Sequence, residues 1–200
     1  MAGTRRGGAL LDLGSSDGET LRHMAELRPD LRFFAVDKIG RPEAYPRNCQ
    51  FQSADLERDR LPWPDGSMDA ITCMHVVEHL NDLEHLWNEA VRLVVPGGAI
   101  YFETPHPRSL TLPRARDRGA GTFTLNFYDD ATHVRIVPVE ELGQSARAHG
   151  LEVVRCGTSR NWLFAASYPA FQFLPASRKK FTARVHWVGW SAYLVARRPL

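Results

Sequence analysis

Beyond Glu152 the sequence has no acidic residue. Eight of its 25 Lys and Arg lie in that stretch, so residues 1–152 hold the other 17 against all 23 Asp and Glu. The formal net charge of +2 therefore conceals an acidic body and a basic C-terminal quarter. Such one-sidedness suits an anion (a substrate phosphate or carboxylate, a membrane headgroup, nucleic acid) or simply a solvated rim. Cysteine is scarce. Cys49, Cys73 and Cys156 are odd in number, widely spaced and form no C-x-x-C pair, which argues against a disulfide framework and fits a reducing, cytoplasmic location. No run of eighteen apolar residues offers a spanning helix. The apolar stretch in "MAGTRRGGALLDLG" is too short for a secretory signal. Internal repeats and low-complexity tracts are lacking too.

What is present is a 200-residue chain, 44% hydrophobic, enough for one compact domain with a real core. Short apolar runs end in Gly or Asp: "GALLDLG" (8–14), "LRFFAVD" (31–37), "CQFQSAD" (49–55) and "MDAITCM" (68–74). Helical spacing appears in "DGETLRHMAELRP", in "NDLEHLWNEAVRLV" (81–94), stopped by "PGG", and in "PVEELGQSARAHG" (138–150). Further strands are expected at 99–103, 151–157 and 190–199. This alternation predicts an α/β fold, with a mostly parallel sheet and helices on both faces.

Ligands of such sheets bind beyond the carboxyl ends of the strands. Gly14, Ser15 and Asp17 follow the first strand, Asp37 the second, Asp55 the third and His75 the fourth, so four strand ends point at one crevice. Two segments break the alternation: 105–130, rich in Pro, Gly and Arg, and 160–185, where aromatics mingle with Arg178, Lys179 and Lys180. Long connections of this kind often serve as lids or binding loops.

His75-Val76-Val77-Glu78-His79 satisfies H-x-x-E-H, a zinc-hydrolase signature. That chemistry needs both histidines on one face of a continuous helix. Here the strand runs to about residue 74, and Asn81 with Glu84 reads as a later helix start. The pentapeptide then falls in a connection, its spacing is a coincidence, and no metal is expected.

At Leu11-Asp12-Leu13-Gly14-Ser15-Ser16-Asp17-Gly18 the sequence resembles the Rossmann-like, class I S-adenosylmethionine-dependent methyltransferases, in their small-molecule branch. The resemblance continues through "FAVDK", "SADLERDRLPWPDGSMDAI", "HVVEHL", "PGGAIYFETP", "THVRIVPVEELGQSARAHGLEVV" and "YLVARRP". It covers most of the chain except the two irregular segments. The family usually reads D-x-G-x-G-x-G; Ser16 stands where its middle glycine would be. The resemblance implies a seven-stranded sheet with an antiparallel last strand, in a single methyltransferase domain over 1–200 whose two insertions shape the acceptor site. It also implies S-adenosylmethionine as cofactor and S-adenosylhomocysteine as product.

Carried over by position, the cofactor-binding residues are Asp12, Gly14, Ser15, Ser16, Asp17, Gly18, Asp37, Lys38, Ala54, Asp55, Leu56, Met74 and His75. Asp37 is placed to accept from both ribose hydroxyls, an arrangement known for acids of dinucleotide folds. Asp55 would accept from the adenine amine, which a carboxylate can do, with Leu56 against the ring. In the family an acidic, amide or histidine residue before V-x-E-H contacts the methionine part of the cofactor, a role that falls to His75.

For a hydroxyl acceptor a base must take a proton, and histidine titrates near neutrality. His133, in the "D-x-T-H-V-R" element on the acceptor side in similar enzymes, is the first candidate, with a structural role, bonding the loop backbone, as the alternative for it; His79 and His75 follow. His106, Arg108, Tyr128 and Arg135 are the expected acceptor-binding residues. Arg108, Arg114, Arg116, Arg118 and Arg135 suggest an anionic small molecule. The aromatic and basic 161–184 segment instead suits a membrane surface with a quinone or lipid acceptor. Nucleic acid is not expected beside an acidic body. A monomer or a homodimer fits equally. The rival readings are a zinc hydrolase and a non-catalytic cofactor-binding protein.

Overall fold

The computed structural model describes residues 3–114 and 124–200. Seven strands form one sheet: β1 (Ala9–Leu13), β2 (Arg32–Asp37), β3 (Cys49–Ser53), β4 (Met68–Met74), β5 (Val94–Pro105), β6 (Glu152–Ser159) and β7 (Ser191–Arg197). Their order is β3-β2-β1-β4-β5-β7-β6. The first five run parallel, and β7 is antiparallel to both its neighbours. The expected α/β architecture is the one found.

β1 is buried along its whole length. Leu10 packs with Phe33, Ala35 and Leu21 on one side, while Leu11 and Leu13 join Leu86, Trp87 and Ile71 on the other. Cover on both faces is why such a strand reads as an unbroken apolar run rather than an alternation. Helix α1 (Glu19–Leu27) covers the first face; α2 (Glu84–Leu93) and α3 (Val139–Ala148) cover the second through Leu86, Trp87, Ala90, Leu142 and Ala146.

Most element ends shift by one or two residues from expectation, and three differences are larger or have a clear cause. α2 starts at Glu84, because the Asn81 and Asp82 amides donate to the Glu57 carboxylate at 2.8 and 3.1 Å and Asp82 Oδ1 accepts from Glu84 N. β5 starts at Val94, before the "PGG" turn, and the ladder with β4 jumps from Met68–Val94 to Ala70–Ala99. Gly97, at φ 76°, supplies the left-handed turn this irregularity needs. Finally, 160–185 holds two helices, α4 (Trp162–Phe171) and α5 (Arg178–Val188), packed on each other. Asn161 caps α4, Ser177 caps α5, and Gly189 ends the pair in the left-handed region. Pro169 and the lack of a one-sided apolar stripe hide these helices from periodicity. An Arg178–Glu19 ion pair ties α5 to the start of α1.

Among the described residues no helix is long and apolar enough to cross a membrane. The 115–123 part of the first irregular segment, with Arg116 and Arg118, lies outside the described residues.

Candidate active site

Where β1 ends, the amides of Gly14 and Ser15 both donate to Val36 O, holding the turn against β2. Gly14, Ser16 and Gly18 all have positive φ, at 74°, 49° and 71°. Ser16 adopts this conformation despite its side chain. Its amide donates to Asp37 Oδ2 at 2.8 Å and its carbonyl accepts from the Tyr45 hydroxyl at 2.8 Å, two bonds that offset the local strain. Ser15 is buried, with its Oγ bonded to Val36 O and Tyr45 Oη, and Asp17 Oδ1 accepts from Glu19 N at the helix start.

A cavity of about 110 Å³ opens beside this turn, lined by Gly14, Asp37, Lys38, Ala54, Asp55, Leu56, Val76 and Leu80. Six of the thirteen residues proposed for the cofactor thus line one crevice. Asp37 keeps lone pairs toward it although Oδ1 also accepts from Ile39 N. Asp55 is held below the usual carboxylate range by the Glu57 amide, aided by Lys38, whose Nζ is 3.0 Å from Oδ2.

Asp12 and Met74 lie elsewhere. Asp12 is 3% exposed beneath the turn, accepting from Thr72 Oγ1 at 2.6 Å. Burial pushes its carboxyl up to about 7, against the lowering effect of the Thr72 bond. Met74 faces a larger groove of about 380 Å³ on the α1 side of the sheet, with Leu10, Met24, Thr72 and Tyr101. That groove lies away from Asp37 and Asp55; the smaller crevice sets these two carboxylates against the apolar side chains of Leu56, Val76 and Leu80 beside the glycine turn.

His75 has φ 56°, and Val77–His79 form one 3-10 turn, so the continuous helix that H-x-x-E-H requires is not made. The His75 ring lies between carboxylates, Nδ1 3.3 Å from Glu78 and Nε2 3.8 Å from Glu103. Burial lowers its pKa, but the two acids outweigh it and raise the imidazole to about 9. At neutral pH His75 is a cation with no lone pair for a proton.

His79 and His133, expected from separate segments, come together with ring centroids 4.8 Å apart. His133 stacks on Phe127, and its Nδ1 is 2.7 Å from Phe127 O. A carbonyl only accepts, so Nδ1 carries a proton; in the neutral tautomer that this bond selects the lone pair is on Nε2. His79 Nδ1 faces Thr132 O at 3.2 Å and Thr132 Oγ1 at 3.0 Å. Thr132 Oγ1 donates to Asp130 Oδ1 at 2.6 Å, so both its oxygens accept from His79, whose Nε2 also keeps its lone pair.

The expected acceptor-binding residues are mostly engaged with the chain itself. Arg135 makes two bonds to Glu141, at 2.8 and 3.0 Å, and Arg108 donates to Val188 O. His106 Nδ1 accepts from Arg108 N. Tyr128 is half exposed, with Arg114 5.0 Å above its ring. Sequence reasoning missed Glu103, Thr132 and Tyr45 as parts of the site. None has a local signal, since each matters only through a partner distant in sequence. Glu78 was visible, inside the H-x-x-E-H pentapeptide.

A family model described as "Methyltransferase domain" matches residues 1–155. Among curated relatives, a ubiquinone biosynthesis O-methyltransferase of Albidiferax ferrireducens is 27% identical over 158 residues, covering 74% of this chain and 61% of that one. A 27-O-demethylrifamycin SV methyltransferase of Amycolatopsis mediterranei is 27% identical over 166 residues, covering 76% and 57%. The chain thus spans about three fifths of the length of these relatives. Among solved structures, an S-adenosylmethionine-dependent methyltransferase from Mesorhizobium loti aligns with a TM-score of 0.71 at 16% identity, over 98% of this chain and 93% of that one. A geranyl diphosphate C-methyltransferase from Streptomyces coelicolor, in complex with Mg2+, geranyl diphosphate and S-adenosyl-L-homocysteine, aligns at 0.64 and 15% identity, over 98% and 74%.

Proposed function

The chain belongs to the class I S-adenosylmethionine-dependent methyltransferases, and we propose that it methylates a hydroxyl oxygen of a small molecule. The observation carrying the oxygen acceptor is the His79–His133 pair, two imidazoles whose Nδ1 partners leave both Nε2 lone pairs free to take a proton. Relatives named as a ubiquinone biosynthesis O-methyltransferase and a 27-O-demethylrifamycin SV methyltransferase agree with it.

The crevice residues suit the cofactor. A Cβ on Gly14 would fill the approach beside Val76, Asp37 and Asp55 are acceptor carboxylates for hydroxyls and an amine, and Leu56 supplies an apolar wall. Bound there, S-adenosylmethionine supplies a methyl group on a sulfonium. The chain's own work is to hold the acceptor oxygen in line with that methyl and to remove its proton. His75, protonated at neutral pH, is unsuited to the second task and serves as a fixed cation beside Glu78 and Glu103. His133 or His79 takes the proton at Nε2. Labelled S-adenosylmethionine, supplied with phenolic and polyol acceptors, tests this: transfer to oxygen that falls away in His133→Ala and His79→Ala supports it, and transfer undiminished in both contradicts it.

A second reading, a membrane-associated quinone or lipid acceptor, draws on the α4–α5 pair. There Trp162, Leu163 and Phe173 are 72%, 84% and 90% exposed, beside Arg178, Lys179 and Lys180. Co-sedimentation with anionic vesicles, lost on Leu163→Ser with Phe173→Ser, would favour it.

A further inference from the structure

We propose that Glu78, His79 and His133 form a binding site for one first-row divalent transition metal, with Zn2+ the ion their donors fit. One carboxylate oxygen of Glu78 and one ring nitrogen from each histidine lie within 4.8 Å of one another. This is not the H-x-x-E-H arrangement, because His75 is outside the cluster and His133 comes from a different loop.

Two independent features mark the cluster as built for a ligand. First, Glu78 is fully buried, and only its Oε1 has a partner, His75; Oε2 has none among the described residues. An unpartnered buried carboxylate oxygen is costly and calls for a cation or a donor beside it. Second, both histidines are locked with Nδ1 as donor. Phe127 O fixes one, and Thr132 O with Thr132 Oγ1 fixes the other. Metal-binding histidines are commonly held this way, the outer nitrogen giving its proton to a carbonyl while the inner one keeps its lone pair.

Two imidazoles and one carboxylate suit zinc and its neighbours rather than Mg2+ or Ca2+, which prefer oxygen. Donors around a tetrahedral ion stand roughly 3.3 Å apart, so small side-chain rotations would draw these three in. Asp130, whose Oδ2 is 3.8 Å from His133 Nε2, adds negative charge at the rim. The remaining coordination positions would be free for an oxygen. The inference rests on the proposed function only for what the ion is used for: with metal bound, the ion would acidify the acceptor hydroxyl, whose proton would pass to solvent, and the two histidines would act as ligands instead of as the base. Binding itself needs neither cofactor nor acceptor.

The test is calorimetric titration of the chelator-stripped chain with Zn2+, and the visible spectrum after Co2+ is added. The expected result is one ion per chain and ligand-field bands of a site with nitrogen donors. His79→Ala, His133→Ala and Glu78→Gln should each weaken binding by at least about tenfold, and Thr132→Val, which touches no donor atom, by about tenfold. His23→Ala, on α1, should change nothing. S-adenosylhomocysteine binding, measured on every variant, reports that the fold is intact. A chain that binds the nucleoside but takes up no Zn2+, or whose uptake survives both histidine substitutions, overturns the metal site and leaves the methyltransferase reading standing. Zn2+ uptake without nucleoside binding does the reverse.

Discussion

A Cβ on Gly14 would overlap the Cγ2 methyl of Val76 and stand 3.1 Å from its Cγ1. Val76 and Gly14 face each other across the mouth of the crevice, and Gly14 is at φ 74°. Gly14→Ala therefore meets both a clash and a left-handed backbone, the latter alone costing about 1–2 kcal/mol. The variant should melt several degrees lower and fail to bind S-adenosylhomocysteine. Unchanged binding would mean that the crevice is not where the nucleoside sits.

Asp12 gives the chain a pH signature. Its carboxyl is raised from 3.8 to about 7, chiefly by burial, so the folded chain keeps a proton that the unfolded chain releases. Between these values unfolding sheds a proton, and stability falls as pH rises, by at most about 1.4 kcal/mol per unit, levelling off above about 7. Asp12→Asn stays neutral and can still accept from Thr72. Urea melts from about pH 5 to about pH 8 should show the variant gaining on the native chain as pH rises. A constant difference across that range would contradict a protonated Asp12.

Glu89 fastens the connection before β4. Its Oε2 accepts from Leu61 N at 2.8 Å and from Arg92 Nη2 at 2.6 Å, while Arg92 also donates to Leu61 O, Trp63 O and Asp65. Removing one partner of such a half-buried network leaves the other uncompensated, so Glu89→Ala should cost about 3 kcal/mol in denaturant melts. Nucleoside affinity at low temperature should stay near the native value, since Glu89 does not line the crevice.

For the acceptor proton, His133→Ala should lower kcat by about 10²–10⁴-fold with little change in the KM for S-adenosylmethionine. His79→Ala should act in the same direction. His75→Ala should instead raise that KM, with a smaller effect on kcat. Steady-state rates with a responsive acceptor separate these outcomes.

Much of the fold is legible in the sequence. Met68–Met74 is a strand with the ends read from the sequence, because a buried run flanked by turn residues has few alternatives. That Gly14, Asp37 and Asp55 come to one place is legible for the same reason: they lie at or just past the ends of adjacent strands, and strand order brings them together. Less legible was whatever depends on a partner far along the chain. Nothing near Arg135 announces that Glu141 takes its guanidinium, nor near His79 that Thr132 fixes its tautomer. The α4–α5 pair escaped because its helices show no one-sided apolar face, and periodicity is the signal on which a helix is read.

The central claim is that the crevice beside Gly14 grips the adenosyl group through Asp37. Calorimetric titration with S-adenosylhomocysteine, on the native chain and on Asp37→Ala, tests it most directly. The account predicts one site per native chain and affinity at least about tenfold lower in the variant, the loss of hydrogen bonds to a charged acceptor being worth about 1.5–3 kcal/mol. No heat from the native chain, or equal affinity in the two proteins, would contradict it.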